Sequence, residues 1–239
     1  NNSSAFGEGA QAKADYSTAL GKGAEAKEMY SIALGKESHA EKSFSTSVGF
    51  KTEAKGLSSL ALGSGVVPSK DLTGDGRVDE DDIALNRTIA DGNAAFAAGA
   101  SANATGSYAS ALGGESKATA NAALAVGKMA NASANSTIAV GDNAQASGEK
   151  ATSIGAGAIA KNEGTIAIGD RAKVGATNGD VAATNGIAIG TESESKDLQA
   201  IAVGNKAIAA GNNSIALGNE TKTTGGNGVA IGNKESGSA

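Results

Sequence analysis

Branched apolar residues alternate with small residues in short runs along the whole chain, and each run predicts a β-strand. In residues 214–218 the alternation places Ile215 and Leu217 on one face of a strand and the small residues on the other. A shorter Ala-x-Ala pattern follows each run, as in residues 207–209 after Gly204. Each unit therefore predicts two short strands, with a tight turn at the glycine that ends the first.

The glycine that ends the longer run recurs at every fourteenth position. Fifteen copies in one register predict a solenoid of stacked coils. Two steps are longer than all the others, the step from Gly63 to Gly99 and the step from Gly169 to Gly190. The repeat glycines are Gly7, Gly21, Gly35, Gly49, Gly63, Gly99, Gly113, Gly127, Gly141, Gly155, Gly169, Gly190, Gly204, Gly218 and Gly232.

A unit of this length is too short for a strand and a helix, so the fold class is predicted to be all-β. Successive coils would pair in parallel, about 4.8 Å apart. We expect the Leu, Ile and Val positions to stack as an internal ladder and the Ala, Ser and Gly positions to form a smooth second face. A two-stranded roll buries little surface alone, which predicts lateral association of several chains along that small-residue face.

The composition of the chain disfavours several kinds of binding partner and excludes some ways of stabilising the fold. The net charge is −5 and there is no basic tract, which disfavours nucleic acid and anionic membranes as partners. No apolar run approaches the ~20 residues of a membrane-spanning helix. Cysteine is absent and aromatic residues make up 3% of the chain, so neither disulfides nor a thick aromatic core can hold the fold together.

The repeat Ser-x-Ala-(Leu/Ile/Val)-Gly-x-x-Ala-x-Ala at this period resembles the YadA-like head of trimeric autotransporter adhesins. The resemblance spans nearly the whole chain apart from the two long steps. It implies a left-handed parallel β-roll of 14-residue coils in a homotrimer. It also implies a place on the cell surface, at the extracellular face of a Gram-negative outer membrane, with the anchor elsewhere in the parent protein.

The function that the resemblance implies is cell adhesion without catalysis, as in virulence-associated surface proteins. The expected partner is an extracellular matrix protein or a receptor on a host or neighbouring cell, bound multivalently. A passive spacer in a surface fibre is the alternative. A left-handed β-helix acyltransferase is a remote one, because that family has coils of another length and no base or nucleophile constellation is visible here.

The first long step contains a predicted calcium loop at residues 71–82. Oxygen ligands at EF-hand spacing suit Ca²⁺, with a glycine at the sharp turn, Gly76. The segment resembles one half of a dockerin, although dockerins carry two halves and usually have Asn or Asp where Thr73 stands. The predicted ligands are Asp71, Thr73, Asp75, the carbonyl of Arg77, Asp79 and Asp82.

Residues 81–90 predict a helix after this loop, because their apolar side chains recur at helical spacing and acidic residues open the segment. The interval 69–94 is accordingly interpreted as a calcium-loop and helix insertion. Residues 1–68 would form coils 1 to 5 and residues 95–239 coils 6 to 15. The second long step predicts a longer surface loop at 175–185.

One recurrent position carries aromatic residues near the start of the chain. Tyr16, Tyr30 and Phe44 follow one another at the period of the repeat, and Tyr108 returns to the same position. Stacked coils would align the first three as an aromatic column. It could be an adhesive stripe that binds ligand, or a packing column against loops or a neighbouring chain, and the second interpretation is favoured. His39 occupies a mostly polar position and is interpreted as a solvated side chain.

Overall fold

Two compact units, Asn1–Met129 and Ala130–Ala239, make up the chain. The computed structural model describes residues 2–65, 77, 87–175 and 183–233. Within these ranges every regular element is a β-strand. Each unit is a roll of two parallel sheets, one built from three-residue strands and one from two-residue strands, and the chain alternates between them.

The long-strand sheet of the first unit contains, in spatial order, β1 (Ser4–Phe6), β3 (Thr18–Leu20), β5 (Ile32–Leu34), β7 (Thr46–Val48), β9 (Leu60–Leu62), β11 (Phe96–Ala98), β13 (Ser110–Leu112) and β15 (Leu124–Val126). Its short-strand sheet contains β2 (Gln11–Ala12), β4 (Glu25–Ala26), β6 (His39–Ala40), β8 (Glu53–Ala54), β10 (Ile89–Ala90), β12 (Asn103–Ala104) and β14 (Lys117–Ala118).

The second unit repeats this arrangement. Its long-strand sheet contains β17 (Ile138–Val140), β19 (Thr152–Ile154), β21 (Ile166–Ile168), β23 (Ile187–Ile189), β25 (Ile201–Val203), β27 (Ile215–Leu217) and β29 (Val229–Ile231). Its short-strand sheet contains β16 (Asn131–Ala132), β18 (Gln145–Ala146), β20 (Ile159–Ala160), β22 (Lys173–Val174), β24 (Glu194–Ser195), β26 (Ile208–Ala209) and β28 (Lys222–Thr223).

Equivalent residues of successive coils pair directly. Strand β25 pairs with β27 so that Ala202 lies opposite Ala216 and Val203 opposite Leu217. Strand β26 pairs with β28 in the same way. A step of one repeat in sequence is therefore one step across each sheet, which confirms the predicted parallel solenoid of short, regular coils.

The repeat glycine marks the point of closest approach between coils. Gly21 has a φ of +131°, and a Cβ added there would lie 2.6 Å from the carbonyl oxygen of Gly35 in the next coil. Its own carbonyl accepts a hydrogen bond from the backbone NH of Ala24. This bond closes the first turn of the coil, which connects the long strand to the short strand. A side chain at this position would have to push two paired backbones apart, so only glycine fits.

The interior of each roll is made of small side chains, and the predicted assignment of the two strand faces is wrong. Ala33 and Ala40 in the first unit and Ala216 in the second are fully buried, and Val174 is the largest fully buried side chain of the described residues. The branched residues point outward instead. A coil this short holds its two sheets too close together for Leu or Ile between them, so the interior takes mainly Ala, Ser and Thr, with Val174 as the largest side chain.

Buried hydroxyl groups satisfy carbonyls at the second turn, which connects the short strand to the next long strand. Ser17 donates to the carbonyl of Ala14 over 2.6 Å, and Thr137 donates to that of Ala134 over 2.6 Å. Both hydroxyl side chains are fully buried. These bonds satisfy polar groups that would otherwise be costly inside an alanine core, which explains Ser and Thr at this recurrent position.

The structure of the first long step differs from the prediction in two ways: in its secondary structure at residues 89–90 and in where the insertion ends. Ile89 and Ala90 form strand β10, which pairs with β8 and β12, so the helix prediction is wrong at these two residues. Thr88 already occupies a buried coil position. The extra residues of this coil therefore lie between Gly65 and Thr88, in the first turn, and the end of the interval 69–94 belongs to the roll. Sheet pairing prevails over local helical spacing because Ile-Ala fits the short-strand pattern.

The second long step is accommodated in the second turn. Strand β22 ends at Val174, and Ala183 resumes the coil by accepting a turn hydrogen bond from Gly186. The extra residues, 176–182, lie outside the described part of the chain. Their position falls within the predicted loop 175–185.

Candidate assembly and adhesion surfaces

The first and third residues of each long strand point out of the roll and form a surface that we call the apolar face. In the second unit it is Ile138, Val140, Thr152, Ile154, Ile166, Ile168, Ile187, Ile189, Ile201, Val203, Ile215, Leu217, Val229 and Ile231. In the first unit it is Ser4, Phe6, Thr18, Leu20, Ile32, Leu34, Thr46, Val48, Leu60, Leu62, Phe96, Ala98, Ser110, Leu112, Leu124 and Val126.

Most branched side chains of the apolar face are partly exposed. Leu20 is 47% exposed, and Ile154 and Ile189 are close to two-fifths exposed. Stacking along the sheet covers the sides of each side chain and leaves its tip in solvent. A contiguous exposed apolar surface of this kind is typical of an interaction site. The repeat pattern identifies these residues in the sequence, but the side of the sheet predicted for them is wrong.

The outward residues of the short-strand sheets, with the residue after each strand, form the polar face. In the first unit it is Gln11, Lys13, Glu25, Lys27, His39, Glu41, Glu53, Lys55, Ile89, Asp91, Asn103, Thr105, Lys117 and Thr119. In the second it includes Asn131, Ser133, Gln145, Ser147, Ile159, Lys161, Lys173, Glu194, Lys196, Ile208, Lys222 and Thr224. His39 lies here as predicted, although it is partly buried.

Ion pairs between adjacent coils run along the polar face of the first unit. The ammonium of Lys27 lies 3.2 Å from a carboxylate oxygen of Glu41 and 3.5 Å from one of Glu25. Glu25 also accepts a hydrogen bond from Lys13. That bond from Lys13 lowers the pKa of Glu25, partial burial opposes the shift, and the charge of Lys27 adds to it. These four charged side chains of the polar face therefore pair within one chain.

The aromatic column is present as predicted, on the second-turn edge of the first unit. The rings of Tyr16 and Tyr30 stack with centroids 5.0 Å apart, and those of Tyr30 and Phe44 stack at 5.1 Å. Their exposed fractions are 48%, 45% and 57%, so no loop of the described residues covers them. Tyr108 shares the position but has an even more exposed ring, at 73%.

The base of the first long step is tied to the roll. The guanidinium of Arg87 lies 2.8 Å from the carboxylate of buried Glu53, whose other oxygen lies 2.9 Å from the ammonium of Lys55. The hydroxyl of Thr88 lies 3.0 Å from the carbonyl oxygen of Ser64 and 2.6 Å from that of Gly99. The residues that enter and leave the long step are thereby held in one coil.

The predicted calcium ligands fall mostly outside the described residues. Asp71, Thr73, Asp75, Asp79 and Asp82 are not among them, and Arg77 is described only as exposed. Across the ranges that the structure does describe, no cluster of three or more acidic, histidine or cysteine residues is placed to hold a metal ion.

The repeat of this roll matches a known family. The model of the YadA head domain repeat, which spans two copies of the unit, matches well over half of the chain. The chain belongs to the YadA head family. The matched residues are 1–24, 26–52, 40–65, 118–144, 146–172, 182–207, 198–221 and 209–234. No curated protein matches the chain.

This YadA-like head continues through an interval that the family model leaves unmatched. Residues 66–117 match no copy of the repeat, yet β10 to β14 keep the same pairing pattern as the matched coils. The family and the solenoid point to a non-enzymatic, cell-surface adhesin. Among the described residues no helix is long and apolar enough to cross a membrane.

Proposed function

We propose that this chain is the head of a homotrimeric surface adhesin. Three parallel copies would bury their apolar faces around a common axis, in left-handed rolls displayed beyond a Gram-negative outer membrane. The outward surfaces would attach the cell to an extracellular matrix protein or to a receptor on a host or neighbouring cell. Family membership supports the adhesin class, and the partly exposed apolar face supports the assembly.

The apolar face is the observation that carries this proposal. Ile, Leu and Val tips stacked in most coils would be an aggregation hazard in a monomer. Closing three copies around an axis buries every tip with one repeated contact, and cyclic symmetry lets that contact close on itself. A flat repetitive surface in three copies also suits avidity, because many weak contacts add without one deep pocket.

The assembly can be tested with two matched substitutions. Ile201→Asp places a charge on the apolar face of β25, and Ile208→Asp places the same charge on the polar face of β26. We expect a trimer by multi-angle light scattering for the parent chain and for Ile208→Asp, and a monomer for Ile201→Asp. A monomeric parent chain, or equal effects of the two variants, would contradict the proposal.

Adhesion is tested separately with the trimer and the Ile201→Asp monomer on immobilised collagen-type matrix proteins and on whole cells. We expect the trimer to bind at least one of these surfaces, and the monomer to bind it about 100-fold more weakly because avidity is lost. A folded trimer that binds none of them would favour the spacer.

We also propose that the first long step binds Ca²⁺ through Asp71, Thr73, Asp75, the carbonyl of Arg77, Asp79 and Asp82. The support is the EF-hand spacing of oxygen ligands in the sequence. A second support is the closed base of the segment, where Thr88 ties to Ser64 and Arg87 pairs with Glu53. A bound Ca²⁺ would order the segment as a projection, which would serve as a receptor-binding module.

Calorimetric titration of Ca²⁺ into the chain tests the metal site. We expect one site per chain, lost in the double variant Asp71→Ala with Asp75→Ala and retained in Asp170→Ala, which removes an acidic residue elsewhere. Unchanged heat in the double variant would refute the ligand assignment. If the segment is the receptor module, removal of residues 66–87 would abolish cell binding while the trimer persists.

A further inference from the structure

The aromatic column occupies a backbone position that disfavours large side chains. Tyr16, Tyr30 and Phe44 have φ values of 58°, 57° and 60°, in the left-handed region. Other coils fill the same position with residues that suit it better, such as Ser58, or Asn213 in the second unit. Bulky residues at positive φ are uncommon and strained, so three in succession indicate a role beyond closing the turn.

The column is part of an exposed apolar edge. Met29 precedes Tyr30, and Leu57 precedes Ser58, which holds the equivalent position in the coil after the column; both are nearly half exposed. The rings stack on one another, so each presents its rim outward and the tyrosines can present hydroxyl groups. A partner for this edge should combine apolar area with donors that reach the hydroxyls.

The opposite edge of the same coils has those properties. In the first turns, Lys22 and Lys36 are one coil apart, as Tyr16 and Tyr30 are, and their side chains are 61% and 42% exposed. Lys36 lies over the ring of Phe50, with its ammonium 5.1 Å from the centroid. Lysine stems cover apolar area while their ammonium groups donate hydrogen bonds. The residues of both edges are thus spaced one coil apart, and the lysines offer the apolar area and the donors that the aromatic column requires.

We propose that the aromatic column of one copy packs against the first-turn edge of the next copy, formed by Lys22, Lys36 and Phe50. This rests on the proposed trimer. When three parallel copies turn their apolar faces to one axis, the second-turn edge of each copy meets the first-turn edge of its neighbour at the same height. Such a contact joins two different edges and closes into a ring.

Cysteine pairs test the contact directly, because the chain has no cysteine of its own. Tyr30→Cys is combined in one chain with Lys22→Cys or with Lys36→Cys, and the purified protein is oxidised. We expect covalent dimers and trimers on a non-reducing gel for at least one pair. Tyr108→Cys with Lys36→Cys is the control, since these residues lie in distant coils, and it should give no covalent trimer.

Light scattering on the same samples separates this contact from the trimer itself. A trimer in which neither pair cross-links, or in which the control pair cross-links equally, overturns the edge contact and leaves the proposed function standing. A monomer overturns both.

A triple serine variant, Tyr16→Ser with Tyr30→Ser and Phe44→Ser, gives a second measurement. Serine suits this backbone position, as Ser58 shows. We expect this variant to dissociate at a concentration at least about tenfold higher than the parent trimer, because roughly one aromatic contact is lost. Its circular dichroism spectrum should be unchanged. Unchanged dissociation with weaker binding to matrix protein would instead identify the column as a ligand surface and overturn the proposal.

Discussion

The apolar face and the polar face belong to the same coils, yet they meet opposite requirements. On the polar face, Lys27 pairs with Glu25 and Glu41, so charges find partners within the chain. On the apolar face, Leu and Ile tips find no equivalent cover among the described residues. The roll therefore presents a water-compatible surface on one of its two faces only. The proposed trimer would cover the other side.

The interior does not depend on either face. In the described coils, alanine methyl groups and the small side chains of Ser and Thr fill most of it, and Val174 is the largest fully buried residue. The roll can therefore change its outer residues from coil to coil while the core stays constant. The polar face uses this freedom: it carries ion pairs near its start, and Asn, Gln, Ser or Thr at β12, β16 and β18.

The largest expected effect on stability comes from removing β10, one strand of the short-strand sheet that carries the polar face. Removal of residues 69–94 deletes β10 and leaves β9 and β11 of the other sheet without a matching short strand. We expect the first unit to lose its cooperative thermal transition. Removal of residues 66–87 joins Gly65 to Thr88 and restores a regular coil, so we expect its transition to be preserved. Calorimetry of both deletions checks this, and equal behaviour would refute the boundary between segment and roll.

Exchanging Ala and Leu at two adjacent positions should show which of them lies in the interior and which on the apolar face. Ala216→Leu is expected to lower the free energy of unfolding by about 3 kcal/mol, because the space between the sheets cannot expand without breaking pairing. Leu217→Ala on the adjacent outward position should cost the isolated chain about 1 kcal/mol, since its side chain is only partly buried. Urea unfolding of both variants in the monomeric Ile201→Asp background gives the numbers. A larger loss for Leu217→Ala would mean that the faces are assigned the wrong way round.

Acid should weaken the polar face by a smaller amount. Since the bond from Lys13 lowers the pKa of Glu25 below its ordinary value of 4.5, this carboxylate stabilises the fold above that pH. The stabilisation is lost as the pH falls through the lowered pKa, by at most about 1 kcal/mol for a partly exposed pair. Thermal unfolding from pH 7 to pH 3 measures it. Glu25→Gln should flatten part of the acid slope, and an unaltered slope would show that the pair contributes nothing.

The period, the two strands and the glycine turn are predictable from the sequence, because these depend on local chemistry that recurs in every coil. Which face is buried is not predictable in this way. Alternation shows that Ile215 and Leu217 share a face, but the inside is decided by the distance between two sheets, which the length of the whole coil sets. The helix prediction at Ile89 and Ala90 was wrong for a related reason, since pairing with β8 and β12 is a contact between residues distant in sequence.

The common register of the coils has a consequence for how such a head can change its length during evolution. Because repeat glycines of successive coils abut one another, a whole coil that is duplicated or deleted lets its neighbours rejoin in the same backbone register. A segment of any other length must leave the sheets at a turn, as both long steps do. The reach of the molecule is therefore adjustable only in whole coils, while new segments are tolerated in its turns.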